Sequence, residues 1–243
     1  MNDQQQFRLR ITFVKQGRLA MLSHLEIARA LERAVRRAQL PFAVSNGFSP
    51  HMKIAFGAAL PVGVGGTREM VDLNLTRYVN PDEALMALQQ ASVPDLMVTG
   101  CSYIEPKAPA ASAAFPISTY RILLSAAPAT LPVPAEVRIV RKKKEKVLTV
   151  TDFLVGEPVL EGSSVTLTLE QKPTGSLRPD KLMVACLAQV NADDAANGAG
   201  AAEAAEAPLA LLLENAWTQS IEPPAAGETL RILSMTRIDQ RAK

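Results

Sequence analysis

Twice within the first hundred residues the apolar side chains change from every second position to every third or fourth, and this change limits the fold more than any other feature. From Phe7 to Val14 the residues Phe7, Leu9, Ile11 and Phe13 alternate with Arg8, Arg10 and Thr12, the pattern of a strand with one buried face. After Gly17, Ile27, Leu31, Ala34, Val35 and Ala38 recur at helical spacing. Ser23-His24-Leu25-Glu26 opens that helix as a capping box, the Ser23 hydroxyl accepting from the Glu26 N–H while the Glu26 carboxylate reaches back. The change then repeats. Met70 to Leu75 places Val71, Leu73 and Leu75 inward against Asp72, Asn74 and Thr76 outward, and Asn80-Pro81 caps a helix running through Gln90 that buries Leu85 and Leu88. Phe42 to Val44 is short enough for an edge strand, and Lys53 to Phe56 and Leu96 to Ile104 supply further strands.

The resulting order, strand-helix-strand-strand-helix-strand, predicts an α+β fold of the ferredoxin-like kind, a split βαβ sandwich with both helices on one face of an antiparallel sheet. The name describes a shape and implies no iron. Such a sheet leaves its other face free for a ligand, as RNA-recognition modules use it, yet the aromatic string of those modules is absent.

A chain of 243 residues has room for two small domains with separate cores. We place the first at residues 1–105, an Ala/Pro-rich linker, PKAPAASAAFP, at 106–117, and a second small α+β domain at 118–243. In the second domain Tyr120 to Leu124, Val137 to Val140, Val165 to Leu169, Leu209 to Leu213 and Leu230 to Ile238 read as strands, and Asp180 to Val190 as a helix. The lysine-rich run Arg141 to Lys146 is a hairpin tip that either blocks edge pairing or meets phosphate. Residues 191–207 form a low-complexity insertion, and Trp217 covers the core.

A net charge of +2 excludes a polycation, so any affinity for nucleic acid must come from where the charges lie. Cys101 and Cys186 sit apart in apolar surroundings and read as small buried hydrophobes, and no metal ligands or cofactor are expected. The N-terminus lacks an apolar core of signal length, and no apolar run is long enough to span a membrane, which predicts a soluble, cytoplasmic protein.

Four arginines, Arg29, Arg33, Arg36 and Arg37, fall opposite the buried stripe of the first helix. A solvated helix face partly paired with Glu26 and Glu32 accounts for them, and so does a phosphate-binding surface, since guanidinium forks suit phosphate oxygens. Beyond Leu40-Pro41, the turn Ser45-Asn46-Gly47 leads into Phe48-Ser49-Pro50-His51 and Lys53. Phe48 is either a plug folded onto the core or a platform for a stacked base. His24 and His51 are the only histidines, and no carboxylate stands at a spacing that would orient either of them. Ala59 to Gly66 reads as a tight glycine-rich connection. Arg178, before the helix at Asp180, marks either plain capping or an anion site at a helix N-terminus.

The run Leu22-Ser-His-Leu25, Ala30-Leu-Glu-Arg33, Arg36-Arg37-Ala38, Leu40-Pro41, Ser45-Asn-Gly-Phe48-Ser-Pro50, Phe56-Gly57 and Ala59-Leu-Pro-Val-Gly63 resembles the bacterial radical-SAM-linked family, a domain of unknown function found alone or fused behind a cobalamin-binding radical-SAM protein. The match is dense over residues 7–105, and the chain departs from it at Gly65-Gly66-Thr67. The resemblance implies the stand-alone form, a radical-SAM enzyme with a cobalamin-binding domain as partner, and involvement with RNA. It supplies no catalytic residue. The expected function is a non-catalytic accessory protein that binds or presents RNA through Arg29, Arg33, Arg36, Arg37, Asn46, Phe48, His51, Lys53 and Arg178. The alternatives are a module that docks the partner without nucleic acid, and a metal-independent RNA-processing enzyme, the latter by analogy with the paired ferredoxin-like units of CRISPR RNA endonucleases.

Overall fold

The structure is a computed structural model that describes residues 7–141, 144–196 and 229–243. The chain divides into two compact units, Met1–Pro116 with Gln240–Lys243, and Ile117–Asp239.

The first unit runs β1 (Phe7–Lys15), a 3₁₀ turn at Gly17–Met21, α1 (His24–Arg37), β2 (Ile54–Phe56), β3 (Val64–Leu75), α2 (Pro81–Ala91), β4 (Val98–Ile104) and the short α3 (Ala111–Ala114). Its strands lie in the order β4-β1-β3, with β2 also on β3, and these pairs are antiparallel. The α+β class expected of the chain is the class it adopts. Register decides what is buried. Leu9 faces Leu73 and Ile11 faces Val71, so both strands send their apolar rows to one side. Ile27, Leu31 and Val35 from α1 and Ala84 and Leu88 from α2 meet those rows in one core. Burial of each such leucine stabilises the unit by about 1.5–3 kcal/mol. Helix α2 buries Ala84 and Leu88, a full turn apart, and leaves the expected Leu85 half-buried.

Three expectations are corrected here. Strand β3 begins at Val64, because only Gly63 (φ 85°) turns the chain, and Gly65 and Gly66 already lie within the strand. Asp72, expected to face outward into solvent, is 2 % exposed. Residues 106–116 do not form a free linker. Arg8 and Arg10 both bind the Asp72 carboxylate, and their remaining N–H groups donate to the Ala108 and Pro109 carbonyls, while Arg10 lies over the Phe115 ring at 5.3 Å. The segment looks like a connector by composition. It is held because two half-buried guanidiniums need more acceptors than one carboxylate offers. This part of the outer sheet face is therefore covered, and not free as expected.

The second unit contains β5 (Ile117–Leu124), the hairpin β6 (Glu136–Arg141) and β7 (Lys144–Thr149), β8 (Val159–Glu161), β9 (Ser164–Glu170), α4 (Pro179–Ala196) and β10 (Ile232–Arg241), whose last two residues count with the first unit. Strand order is β10-β5-β9-β8. Tyr120, Ile122 and Leu124 lie on the buried parity of β5, and Val165, Leu167 and Leu169 on that of β9. Leu182, Met183 and Cys186 from α4 are also buried. The lysine-rich run is a hairpin, as expected, with residues 142 and 143 outside the described residues. Residues 191–196 continue α4. The rest of the expected insertion, the strand at 209–213 and Trp217 lie outside the described residues.

Burial pushes the Cys101 thiol up to about 12 and the Cys186 thiol up to about 11, which suits inert small hydrophobes. Among the described residues no helix is long and apolar enough to cross a membrane.

Candidate functional site

Helix α1 starts as its sequence dictates. The Ser23 N–H and hydroxyl donate to the Glu26 carboxylate at 2.8 and 2.6 Å, and the Ser23 oxygen accepts from the Glu26 N–H at 3.4 Å. These hydrogen bonds, that of the Ser23 hydroxyl first, hold the Glu26 carboxyl below its usual range, with a smaller contribution from Arg29. Arg29, Arg33 and Arg36 stand at i, i+4 and i+7, opposite buried Ile27, Leu31, Ala34 and Val35, and all three are exposed. Glu32 approaches Arg36 at only 3.9 Å, a weak exposed pair. Among the described residues Arg33 has no ion-pair partner. Arg37 leaves the stripe. Its guanidinium donates to the carbonyl of Ala91, the last residue of α2, satisfying one of the acceptors that a helix end leaves open.

The Arg36 guanidinium also lies 5.5 Å from the Phe42 ring centre, which sets the stripe against the base of the next element. That element is a narrow ribbon. Phe42 bridges to Leu75 and Val44 to Met52, and the Lys53 N–H donates to the Ala43 carbonyl. At its neck the Ser45 N–H donates to the His51 carbonyl at 2.7 Å, and the His51 N–H donates to the Ser45 hydroxyl at 3.0 Å. The tip between them turns at Gly47 (φ 131°) and exposes Asn46, Phe48 and Pro50, with His51 exposed beside it and Lys53 half-buried. Phe48 is fully exposed, so it is not the core plug that was one of the two expectations.

Arg178 is not brought to this site. It belongs to the second unit, and its Nε and Nη2 donate to the two oxygens of Asp180 at 2.9 and 2.7 Å. Asp180 is buried in the first turn of α4, where a carboxylate is favoured. Of the two readings of Arg178, plain capping and an anion site, the second is met on that edge of the guanidinium by the chain's own carboxylate.

A second feature was missed. Between the start of α1 and the loop before β3 lies a small, partly open cleft of about 20 Å³, lined by Phe13, Lys15, Ile27, His24, Phe56 and Glu69 together with residues 57–60 and Met70. Lys15 and Glu69 are only 3 % and 7 % exposed, and the Lys15 ammonium donates to the Pro61 carbonyl at 3.4 Å. His24 stands edge-on to Phe56, ring centres 5.1 Å apart. No carboxylate was expected near either histidine, yet Glu69 lines the same cleft as His24. The signal was present in the strand parity: Lys15 continues the inward row Leu9, Ile11, Phe13, and Glu69 precedes Val71, Leu73 and Leu75 on the same face. Gly66 makes room for that carboxylate, because a Cβ there would sit 2.3 Å from Glu69 Oε1. Among the described residues no group of three or more His, Cys, Asp or Glu side chains is arranged to hold a metal ion.

No curated protein matches the chain. Residues 8–179 match a family described as "uncharacterized protein conserved in bacteria (DUF2344)", a span that covers all the elements of the first unit from its first strand through α3 and reaches the start of α4. On that match the chain belongs to the bacterial DUF2344 family.

Proposed function

We propose that the protein is a non-catalytic accessory that binds or presents RNA, and that its client is a radical-SAM enzyme with a cobalamin-binding domain. The observation that carries the RNA reading is Phe48, fully exposed at the tip of a ribbon whose base is joined to the arginine stripe through Arg36 and Phe42. An exposed aromatic at the ribbon's tip and guanidiniums at its base offer the two interactions that hold single-stranded nucleic acid, stacking and phosphate contact. Arg29, Arg33, Arg36 and Lys53 supply the charge, Phe48 the stacking surface, and Asn46 and His51 the hydrogen-bonding groups at the tip. The enzyme partner rests on the sequence resemblance alone.

The test is fluorescence anisotropy with a labelled single-stranded RNA of mixed sequence at low salt. The wild-type chain binds, and the R33E/R36E variant loses at least about tenfold in affinity. Absence of binding by the wild-type chain sinks the reading. One observation favours a docking module instead: Val44 and Phe48 are both apolar and exposed on the same ribbon. Recovery of a radical-SAM partner in a complex that survives about 1 M salt, where charge contacts are screened within about 3 Å, decides for that reading.

A further inference from the structure

Asparagine followed by glycine is a reactive pair in water, and the fold decides whether the pair can react. The reaction needs a side-chain amide in contact with water and a following backbone nitrogen that no hydrogen bond holds. It also needs room for that nitrogen to swing onto the amide carbon, which glycine leaves because it has no Cβ. Of the asparagines in the described residues, Asn74, Asn80 and Asn191 fail these conditions. Asn74 lies inside β3 and precedes a leucine, and its N–H donates to the Lys53 carbonyl. Asn80 precedes Pro81, which has no N–H, and its side chain accepts from the Asp82 N–H at 2.9 Å. Asn191 lies within α4, with its side-chain amide paired to the backbone of Leu230.

Asn46 meets every condition. Asn46, Gly47, Phe48, Ser49 and Pro50 are exposed, and none of them makes a hydrogen bond among the described residues. The ribbon is closed below them by the two hydrogen bonds between Ser45 and His51, so the ends of the tip are fixed and nothing else holds its middle. A Cβ built on Gly47 has no neighbour within 4 Å, so nothing blocks the swing of the backbone.

We infer that Asn46 is a self-modification site, at which the chain converts its own amide to a carboxylate with water as the only co-reactant. The Gly47 nitrogen attacks the Asn46 side-chain carbonyl carbon and forms a C–N bond to it. The bond from that carbon to the amide nitrogen breaks, and ammonia leaves with the proton that Gly47 gives up. Water then adds across either C–N bond of the cyclic imide. Opening at the side-chain carbonyl gives aspartate. Opening at the backbone carbonyl gives the β-linked isomer, in which the main chain runs through the side-chain carbon. No oxidant or reductant takes part. Both products place a negative charge beside Phe48, and the β-linked one lengthens the backbone of the tip. The modification stands apart from RNA binding. Only its effect rests on the RNA reading: the new carboxylate repels phosphate, and the surface loses affinity as the chain ages.

The experiment incubates the full chain at neutral pH and follows it by peptide mass mapping. Trypsin releases residues 38–53 as one fragment, whose only asparagine is Asn46 and which is separate from the fragment carrying Asn197-Gly198. The fragment gains one mass unit and splits into two chromatographic forms of equal mass, and Gly47→Ala slows the change by at least about tenfold. Because Gly47 has a φ of 131° that alanine rarely adopts, Asn46→Gln, which leaves the backbone as it is, serves as the second variant and abolishes the change. A fragment that keeps its mass while the free peptide of residues 38–53 converts shows that the fold protects Asn46, and overturns the site. Conversion no faster than at Asn74 or Asn191 overturns it as well. Conversion that leaves RNA affinity unchanged in fluorescence anisotropy upholds the site and overturns its effect on the surface.

Discussion

At the scale of the residue, Asp72 is where the sequence pattern and the structure part most sharply. Strict alternation placed it outward, and outward it is, but onto a face that Arg8, Arg10 and the 108–115 segment close. Alternation reports which face a side chain takes and cannot report what later covers that face. The guanidinium side chains are 15 % and 11 % exposed and the carboxylate 2 %, so removing the carboxylate strands two cations in a poorly solvated place. Asp72→Asn is expected to destabilise the chain by about 3 kcal/mol, read as a fall in the urea midpoint. The triple change R8M/R10M/D72L, which removes every charge at once, is expected to cost far less, since a buried ion cluster contributes little beyond its apolar replacement. A loss under about 0.5 kcal/mol for Asp72→Asn would show the arginines to be solvated like ordinary surface groups.

At the scale of the element, helix α1 and the ribbon behave differently and predict different things. The helix was readable because its start is a local chemical device, and Ser23 and Glu26 interact as their spacing requires. Glu26 has its carboxyl lowered in the folded chain, so the stabilisation it provides is present above the ordinary carboxylate pKa and lost as pH falls through the lowered value. The first turn of α1 is therefore expected to fray on acidification below about pH 4.5, the ordinary carboxylate value, seen as a lower protection factor of the Glu26 amide, and Ser23→Ala, which removes the acceptor of that amide, should abolish its protection already at neutral pH. An unchanged protection factor between pH 6 and 3 contradicts it. The ribbon was readable only as a turn signal, because whether Phe48 points in or out depends on the Ser45–His51 neck and on the register of residues 42–44 against 52–54, which no local pattern fixes. The cleft was harder still: Lys15 and Glu69 are far apart in sequence and meet only through the pairing of β1 with β3. Since Phe48 touches nothing that holds the fold, Phe48→Ala is expected to leave stability within about 0.5 kcal/mol and to weaken RNA binding by about 1–3 kcal/mol, the worth of one stacked base. A variant that unfolds early, or that binds RNA as well as the parent, removes the platform.

At the scale of the whole molecule, a net charge of +2 spread over 243 residues gives little general attraction for a polyanion, so binding must be built from a few local cations. The structure shortens the list the sequence suggested. Arg37 is engaged with the end of α2 and Arg178 with Asp180, which leaves Arg29, Arg33, Arg36 and Lys53 as the cations of the proposed surface. Each phosphate neutralised on a single strand contributes about −0.7 to the slope of log affinity against log salt concentration, so these residues predict a slope of about −3 between about 50 and 300 mM KCl. The slope separates mechanisms that affinity alone does not. A value near zero with binding intact means that the ribbon docks through Phe48 and Val44, and charge is incidental. A value steeper than about −6 needs about nine cations, more than the four of the proposed surface, and points to others such as those of the Lys-rich β6–β7 hairpin. Charge reversal of that hairpin, as Lys144→Glu with Lys146→Glu, should then leave the slope unchanged if the surface is the one proposed, and flatten it if the hairpin carries the strand.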